Sequence, residues 1–320
     1  MESIADAIHR RATVVVAHDH RPIGEDLPLM AEGGVTAKVF QITLDVDVDA
    51  GYQASRYQTA GWLRLAACGL DNALSEIERH YPDCILVKKP RDIRQAKAEG
   101  RAAIMLGAEG ARWLEGTLEP LRLFHRLGLR ELQLTWAFPN PLVPDGRLSN
   151  FGAEVVSECE KLGILVDVTH IPKDAFYDVI GRAQRPVIVS HGTAKTLTKD
   201  LDDHQLRALA STGGLLGVHF YITYLNPTPT PEDIFRQIDY MAELVGIDHV
   251  ALGVDFFSTE GAWRELQVAQ GTSNLRWAVK DMSEMPKITE CLFEHGYSEA
   301  DILKVLGGNF IRVCHEVFGE

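Results

Sequence analysis

Two kinds of segment alternate along the chain. Eight short apolar runs rich in β-branched residues predict buried strands, and they cover residues 13–17, 37–44, 102–106, 131–135, 164–168, 187–189, 214–220 and 250–254. Between them lie segments with apolar residues at helical spacing, at residues 53–70, 120–127, 152–162, 175–183, 202–211 and 232–245. Strand followed by helix, repeated eight times, predicts an α/β protein built as one (β/α)8 TIM barrel.

The same pattern predicts a single domain over residues 1–320. No linker rich in Gly, Ser or Pro divides the sequence, and no repeat other than the strand–helix unit is visible. The longest connection, residues 256–286, follows the last predicted strand. Connections of this length in compact domains are usually functional lids or partly disordered segments.

Imidazole and carboxylate side chains stand where five of the eight predicted strands end. They are His18, His20, Glu109, His170, His191 and Asp255. The carboxyl ends of all strands meet on one face of a barrel, so we expect these side chains to converge there. One such histidine alone is more often a packing residue than a ligand, but the joint pattern predicts a metal site. Imidazole with carboxylate suits zinc, cobalt, nickel or iron better than calcium or magnesium, and zinc is the default expectation.

Composition and charge narrow the range of partners. The chain has 32 Lys and Arg against 45 Asp and Glu, a formal charge of −13, which disfavours binding to nucleic acid or to an anionic membrane. Its 5 cysteines are scattered without a C-x-x-C pair, so we expect neither a disulfide framework nor a zinc ribbon. With no apolar signal-like segment at the N-terminus, these features predict a cytoplasmic protein.

Four longer segments form specific motifs: LGILVDVTH at 162–170, RPVIVSH at 185–191, LVGIDHVALGVD at 244–255 and LGGNFIRV at 306–313. Together they resemble the membrane dipeptidase (renal dipeptidase) family of zinc peptidases. The resemblance implies two zinc ions bridged by Glu109, one completed by an H-x-D pair after the first strand and the other by His170 and His191. Here that pair reads His18-Asp19-His20, so a neutral histidine stands where the family usually has aspartate. The first metal site therefore loses a negative charge, which predicts weaker binding or a preference for another divalent transition metal.

The resemblance also implies a mechanism. Asp255 matches the family's general acid and base, which would move a proton from a metal-bridging water to the leaving amine. A structural alternative for Asp255 is to orient a ligand histidine.

Substrate-binding residues depart from the family pattern. Trp136 stands where the family has a histidine that stabilises the oxyanion, and an indole can donate a hydrogen bond but cannot become cationic. The segment after the sixth strand offers Lys195 and Lys199 where the family has an arginine for the substrate carboxylate. We hypothesise that His219, with Tyr224, binds substrate or stabilises the oxyanion. The alternative for His219 is packing beneath the proline-rich stretch 227–231.

These observations predict a binuclear metal hydrolase of small amides, with a dipeptide as the leading substrate and a homodimer as a possible assembly. One alternative is a hydrolase of a non-peptide amide, an N-acyl amino acid or a lactone. A barrel that only binds a ligand is another, against which the full set of strand-end residues argues. A metal-free isomerase or aldolase would need a strand-end lysine or a phosphate loop; Lys38 lies on the second predicted strand, and no phosphate loop is evident.

Overall fold

A closed barrel of parallel strands forms the centre of the molecule. The computed structural model describes residues 3–47, 49–194, 201–221, 226–258, 264–265, 268–269 and 275–319. The strands are β1 (Val14–Asp19), β2 (Val35–Thr43), β3 (Cys84–Leu86), β4 (Ala102–Glu109), β5 (Leu129–Gln133), β6 (Leu165–Asp167), β7 (Val187–Gly192), β8 (Leu215–His219) and β9 (Val250–Gly253). They pair in the order β2-β1-β9-β8-β7-β6-β5-β4-β3, and a further pairing of β2 with β4 closes the barrel. The predicted TIM barrel is thereby confirmed, and each of the eight predicted strands is present.

The short strand β3 is an addition to the barrel that the apolar pattern did not predict. It pairs with the beginning of β4, where Cys84 lies opposite Ala102. The neighbouring strand β2 follows β4 from Ala103 to Glu109, which leaves β3 outside the closed ring of eight. Three residues are too few to give a periodic signal.

Helices surround the barrel. They are α1 (Ile4–Arg11), α2 (Ile23–Glu32), α3 (Tyr52–Tyr57), α4 (Trp62–Arg79), α5 (Pro90–Glu99), α6 (Glu119–Leu127), α7 (Asn150–Leu162), α8 (Lys173–Ile180), α9 (Asp203–Ser211), α10 (Pro231–Val245), α11 (Pro286–Glu294), α12 (Glu299–Leu303) and α13 (Asn309–Phe318). The predicted helical segments are confirmed, except that segment 53–70 holds parts of two helices. Gly61, with a left-handed φ of 86°, is the N-cap residue of α4 and lies between that helix and α3. Among the described helices, none combines the length and the apolar character needed to cross a bilayer.

Alternate strand residues face two different cores. Val14 and Val16 pack outward against the helices, whereas Val15 and Ala17 face a second cluster that includes Phe310 of α13. Further along the strands the residues become polar, as at Gln41, Glu131 and Asp167, which are all buried. This change from apolar to polar layers leads toward the carboxyl ends of the strands, where the candidate ligands lie.

Candidate metal centre

The six side chains predicted from the strand ends do converge at one mouth of the barrel. His18 lies on β1, with His20 directly after it; Glu109 ends β4, His170 follows β6, His191 lies on β7 and Asp255 follows β9. Most of these side chains are buried, but that of His170 is 38% exposed. The mouth therefore presents one ligand candidate to solvent and keeps the others within the barrel.

Glu109 lies between two pairs of histidines. Its Oε2 is 3.2 Å from Nε2 of His20, and its Oε1 is 3.6 Å from Nε2 of His18 and 3.7 Å from Nε2 of His170. Within the pairs, the Nε2 atoms of His18 and His20 are 3.1 Å apart, and those of His170 and His191 are 3.0 Å apart. The result is two overlapping groups of three candidate ligands that share Glu109.

The chemistry of these groups fits divalent transition metals. Each group offers two imidazole nitrogens and one carboxylate, which is a ligand set found at zinc and related sites rather than at calcium or magnesium sites. The Nε2 atoms of each pair face one another at hydrogen-bonding distance, and a cation between them would accept both lone pairs. The residues therefore fit metal ions in both groups.

The local electrostatics keep two of the histidines in the state that binds metal. Burial lowers the pKa of His18 to about 3 and that of His191 well below its ordinary value, so both are neutral at physiological pH. Burial would also lower the pKa of His20, but the Glu109 carboxylate outweighs it and raises that pKa to about 9. Burial likewise opposes ionisation of Glu109, yet His20 brings the pKa of this carboxyl below its usual range.

Asp255 faces the first histidine pair and is held by a further histidine. Its Oδ1 is 3.7 Å from Nε2 of both His18 and His20, and its Oδ2 is 3.0 Å from Nε2 of His219. Burial raises the pKa of Asp255, but the nearby His191 and His219 reverse this and hold it well below the usual range. The contact of His219 with Asp255 is one that the sequence did not predict, and the predicted role of His219 toward substrate stays a prediction.

Two of the site residues have an unusual backbone. His170 has a φ of 62° and Asp255 a φ of 53°, and Glu115 is the one other non-glycine residue with positive φ in the described part of the chain. This left-handed region is costly for residues with a side chain and is often found at functional sites. The backbone turns sharply where β6 and β9 end, which directs both side chains into the mouth.

The remaining predicted residues have separate positions. Trp136 is half-buried just beyond β5, and its backbone N–H donates to Oδ2 of Asp45 at 3.2 Å. Tyr224, Lys195 and Lys199 lie outside the described residues.

Lys38 has a structural environment rather than a catalytic one. Its ammonium is fully buried and donates to Asp19 at 3.1 Å, to Asp26 at 2.6 Å and to the carbonyl of Arg21 at 2.7 Å. Because these partners occupy it and its side chain has no exposed surface, Lys38 offers no nucleophile to a substrate. The metal-free alternative therefore loses its candidate lysine.

Several polar residues inside the strands support the ligands, and sequence reasoning missed them. The Thr43 hydroxyl lies 3.1 Å from Nδ1 of His20, and Gln133 donates from Nε2 to Oε1 of Glu109 at 3.4 Å. Ser190 contacts two of the ligand histidines. A single hydroxyl or amide within a buried strand carries no spacing signal; only the position of Ser190 directly before His191 could have drawn attention to it.

Comparison with known proteins gives a consistent relationship. The model of the membrane dipeptidase family, peptidase family M19, matches residues 9–318. Dipeptidase tcpJ from Claviceps purpurea is 29% identical over 259 residues, which is 76% of this chain and 58% of that protein. The chain thus spans somewhat more than half the length of that relative.

Solved structures share the fold over nearly the whole chain. An amidohydrolase from Pseudomonas aeruginosa is 25% identical with a TM-score of 0.85 and covers 99% of both chains. A metallopeptidase from Rhodobacter sphaeroides, liganded with a phosphinate mimic of L-Ala-D-Ala, has the same fold with a TM-score of 0.80 at 21% identity, over 96% of this chain and 99% of its own. Because the family model matches residues 9–318, we conclude that the chain belongs to the membrane dipeptidase family, peptidase family M19.

Proposed function

We propose that this protein is a metal-dependent hydrolase of small amides and that its leading substrate is a dipeptide. The observation that carries the proposal is Glu109, whose carboxylate lies between two histidine pairs at the barrel mouth with Asp255 facing the first pair. Membership of the dipeptidase family supports the same reaction. We expect the substrate to be a small molecule that binds at the barrel mouth.

The proposed cofactor is a pair of zinc ions. Other divalent transition metals are the alternative occupants of the same two groups of ligands. His18, His20 and Glu109 would hold one ion, and Glu109, His170 and His191 the other. Bound there, zinc supplies a water of lowered pKa and polarises the amide carbonyl. His20 replaces a family carboxylate, so we expect the first group to bind more weakly than the second.

Asp255 is the proposed acid and base of the reaction. Its low pKa keeps it ionised at neutral pH, which is the state required to accept a proton from the attacking water. It would then donate that proton to the leaving amine. The hydrogen bond from His219 fixes the direction of the carboxylate, so one oxygen stays turned toward the first histidine pair.

The substrate class is drawn from the relatives and from the residues around the mouth. The R. sphaeroides structure holds a mimic of L-Ala-D-Ala, which favours dipeptides with a C-terminal D-residue as test substrates. His219 with Tyr224 is proposed to bind the substrate or stabilise the oxyanion, Trp136 to contact the substrate, and Lys199 to bind its carboxylate. We further propose a cytoplasmic location, which the five unpaired cysteines favour, and assembly as a homodimer, which light scattering of the purified protein would test.

The experiment compares hydrolysis of several substrates by the zinc-loaded protein. L-Ala-D-Ala, L-Ala-L-Ala, an N-acetyl amino acid and a lactone are assayed with the wild type and with Asp255→Asn. We expect dipeptide cleavage by the wild type and a loss of about 10²–10⁴-fold in kcat for the variant, with its zinc content retained. Asp248→Asn, which alters a surface ion pair with Lys304, is the matched control and should keep full activity.

Two results would contradict the proposal. If the zinc-loaded wild type cleaves the N-acetyl amino acid or the lactone but neither dipeptide, the protein is a hydrolase of non-dipeptide substrates and the proposed dipeptidase activity is wrong. If Asp255→Asn retains wild-type kcat, Asp255 has no part in proton transfer.

A further inference from the structure

The hydroxyl of Ser190 lies between the two groups of candidate ligands. Its Oγ is 3.0 Å from Nδ1 of His18 and 3.2 Å from Nδ1 of His191, and Ser190 is fully buried. One histidine belongs to the group completed by His20 and the other to the group completed by His170. A single oxygen therefore contacts a candidate ligand of each metal.

The hydrogen bonds around Ser190 fit one arrangement of protons. Thr169 donates its hydroxyl proton to Oδ1 of Asp167 at 2.6 Å, so its oxygen is left to accept. The Ser190 hydroxyl has two acceptors for its own proton, that oxygen at 3.3 Å and the Asp167 carboxylate. Both lone pairs of Ser190 remain for acceptance, and the two contacting imidazoles must supply the protons from Nδ1.

This arrangement determines which ring nitrogen of each histidine is available to a metal. With the proton on Nδ1, the lone pair of a neutral imidazole is on Nε2. In both His18 and His191 the Nε2 atom is the one that faces the ligand cluster, toward Glu109 and His170 respectively. The tautomers that satisfy Ser190 are thus the tautomers that can bind metal.

We propose that Ser190 is a positioning residue that fixes the metal-binding tautomer of His18 and of His191 at once, through one shared hydroxyl. The proposal rests on the proposed function for the presence of metal in both groups. Partners of ligand histidines are typically responsible for about 10–100-fold in metal affinity. Because Ser190 contacts a ligand in each group, its removal should weaken both binding steps together.

The backbone around Ser190 is held independently of its hydroxyl. Its N–H donates to Oδ1 of Asp167 at 3.1 Å and to the hydroxyl of Thr169 at 3.0 Å. Removing the side-chain oxygen therefore leaves the strand bonded to its neighbour. The change that results should be one of imidazole orientation and tautomer rather than of β7 itself.

Thr43 provides a comparison that distinguishes a shared role from a local one. Its hydroxyl contacts Nδ1 of His20, a histidine that belongs to the first group alone. Thr43→Val should weaken one binding step and leave the other unchanged. Ser190→Ala should weaken both by about 10–100-fold.

A remote hydroxyl supplies the matched control. Thr289 is buried and its Oγ1 lies 2.6 Å from Nδ1 of His9, which is outside the candidate ligand groups. Thr289→Val removes the same kind of buried hydroxyl–imidazole bond. It should lower the melting temperature of the metal-free protein while both zinc affinities stay at wild-type values.

The test measures the two stepwise zinc affinities by chelator competition on the full-length protein, without an activity assay. Ser190→Cys, of nearly the same size and with a weak acceptor, is measured beside Ser190→Ala in case the alanine variant folds poorly. Weakening of both steps in the Ser190 variants, with one step affected in Thr43→Val and neither in Thr289→Val, supports the proposal. Wild-type affinities in the Ser190 variants, or weakening of one step alone, would overturn it.

The outcome is separable from that of the proposed function. If the wild type binds two zinc ions but cleaves no dipeptide, the proposed reaction is wrong. The role of Ser190 is still tested in that case, because it is measured through zinc affinity alone. A wild type that binds no transition metal overturns both.

Discussion

Replacing Lys38 by methionine tests whether a buried ion cluster holds the strand that carries His18 and His20. Lys38 pairs with Asp19, the residue between those two histidines, and with Asp26 of α2, and all three side chains are buried. Methionine keeps most of the volume and removes the positive charge. Asp26 retains a contact with Arg21 at 3.4 Å. Asp19 is therefore the carboxylate that is most destabilised when the Lys38 charge is removed.

The size of the effect follows from the burial of the cluster. Breaking a buried ion pair by removing one partner typically costs about 3–5 kcal/mol, because the remaining charge is uncompensated. An unfolding entropy of about 2.1 cal/mol/K per residue gives roughly 0.7 kcal/mol/K for the 320 residues, so the melting temperature should fall by about 4–8 °C. This estimate applies to the metal-free protein, in which zinc binding does not add to stability.

The deficit should also depend on pH in a defined direction. Burial raises the pKa of Asp19 well above its ordinary value, and Lys38 opposes that rise. Without Lys38 the folded-state pKa of Asp19 is higher still, and a carboxyl with a raised folded pKa loses stability as pH rises through that pKa. The difference in melting temperature between variant and wild type should therefore be larger at pH 8 than at pH 5.

Differential scanning calorimetry of metal-free protein at both pH values measures this directly. Lys173→Met, which removes an exposed ion pair with Asp202, serves as the control and should stay near the wild-type melting temperature. A deficit for Lys38→Met below about 1 °C, or one that is equal at the two pH values, would refute the reasoning that the cluster is held together by charge.

Further predictions concern the site itself. Glu109→Gln leaves one amide oxygen in place of the carboxylate that the two groups share. The metal content, measured by elemental analysis, should therefore fall to about half of the wild-type value or less. An unchanged metal content would rule out a bridging role for Glu109. His219→Asn removes a contact that lowers the pKa of Asp255. We therefore expect kcat to fall and the acid limb of the kcat/KM profile against pH to move to higher pH. An unmoved profile would show that this contact does not lower the pKa of Asp255. Gly217→Ala would place a Cβ 2.0 Å from the carbonyl oxygen of Ser190. The free energy of unfolding of the metal-free protein, measured by urea denaturation, should therefore fall by about 1–3 kcal/mol. Wild-type stability would mean that β7 and β8 can move apart at little cost.

The fold was predictable from the sequence because the strands of a parallel barrel are buried on both faces. Runs such as 13–17 and 250–254 are continuously apolar for that reason, and their order along the chain determines the topology. The strand β3 was not predictable, since it has only three residues, pairs at the outside of the ring, and has Ile85 and Leu86 partly exposed.

The candidate ligands were predictable because each lies at or just beyond the carboxyl end of a strand, on the same face of the barrel. The contacts that support these ligands were not predictable, because they depend on the three-dimensional placement of individual side-chain atoms and not on position along the sequence. Ser190 contacts the adjacent His191 on β7 and also His18 on β1, a strand separated from β7 by β8 and β9, and Lys38 pairs with a residue on β1 and another on α2. No spacing in the sequence records such contacts, and the left-handed backbone of His170 is equally invisible there.

That backbone conformation has a consequence for how the protein can change through evolution. At His170 and Asp255 a glycine would relieve strain of order 1 kcal/mol per position, yet it would delete an imidazole or a carboxylate from the mouth. Selection for thermal resistance and selection for turnover therefore oppose each other at the ends of β6 and β9. A gain in heat tolerance that keeps both side chains would therefore have to come from other positions, such as helix ends and surface loops.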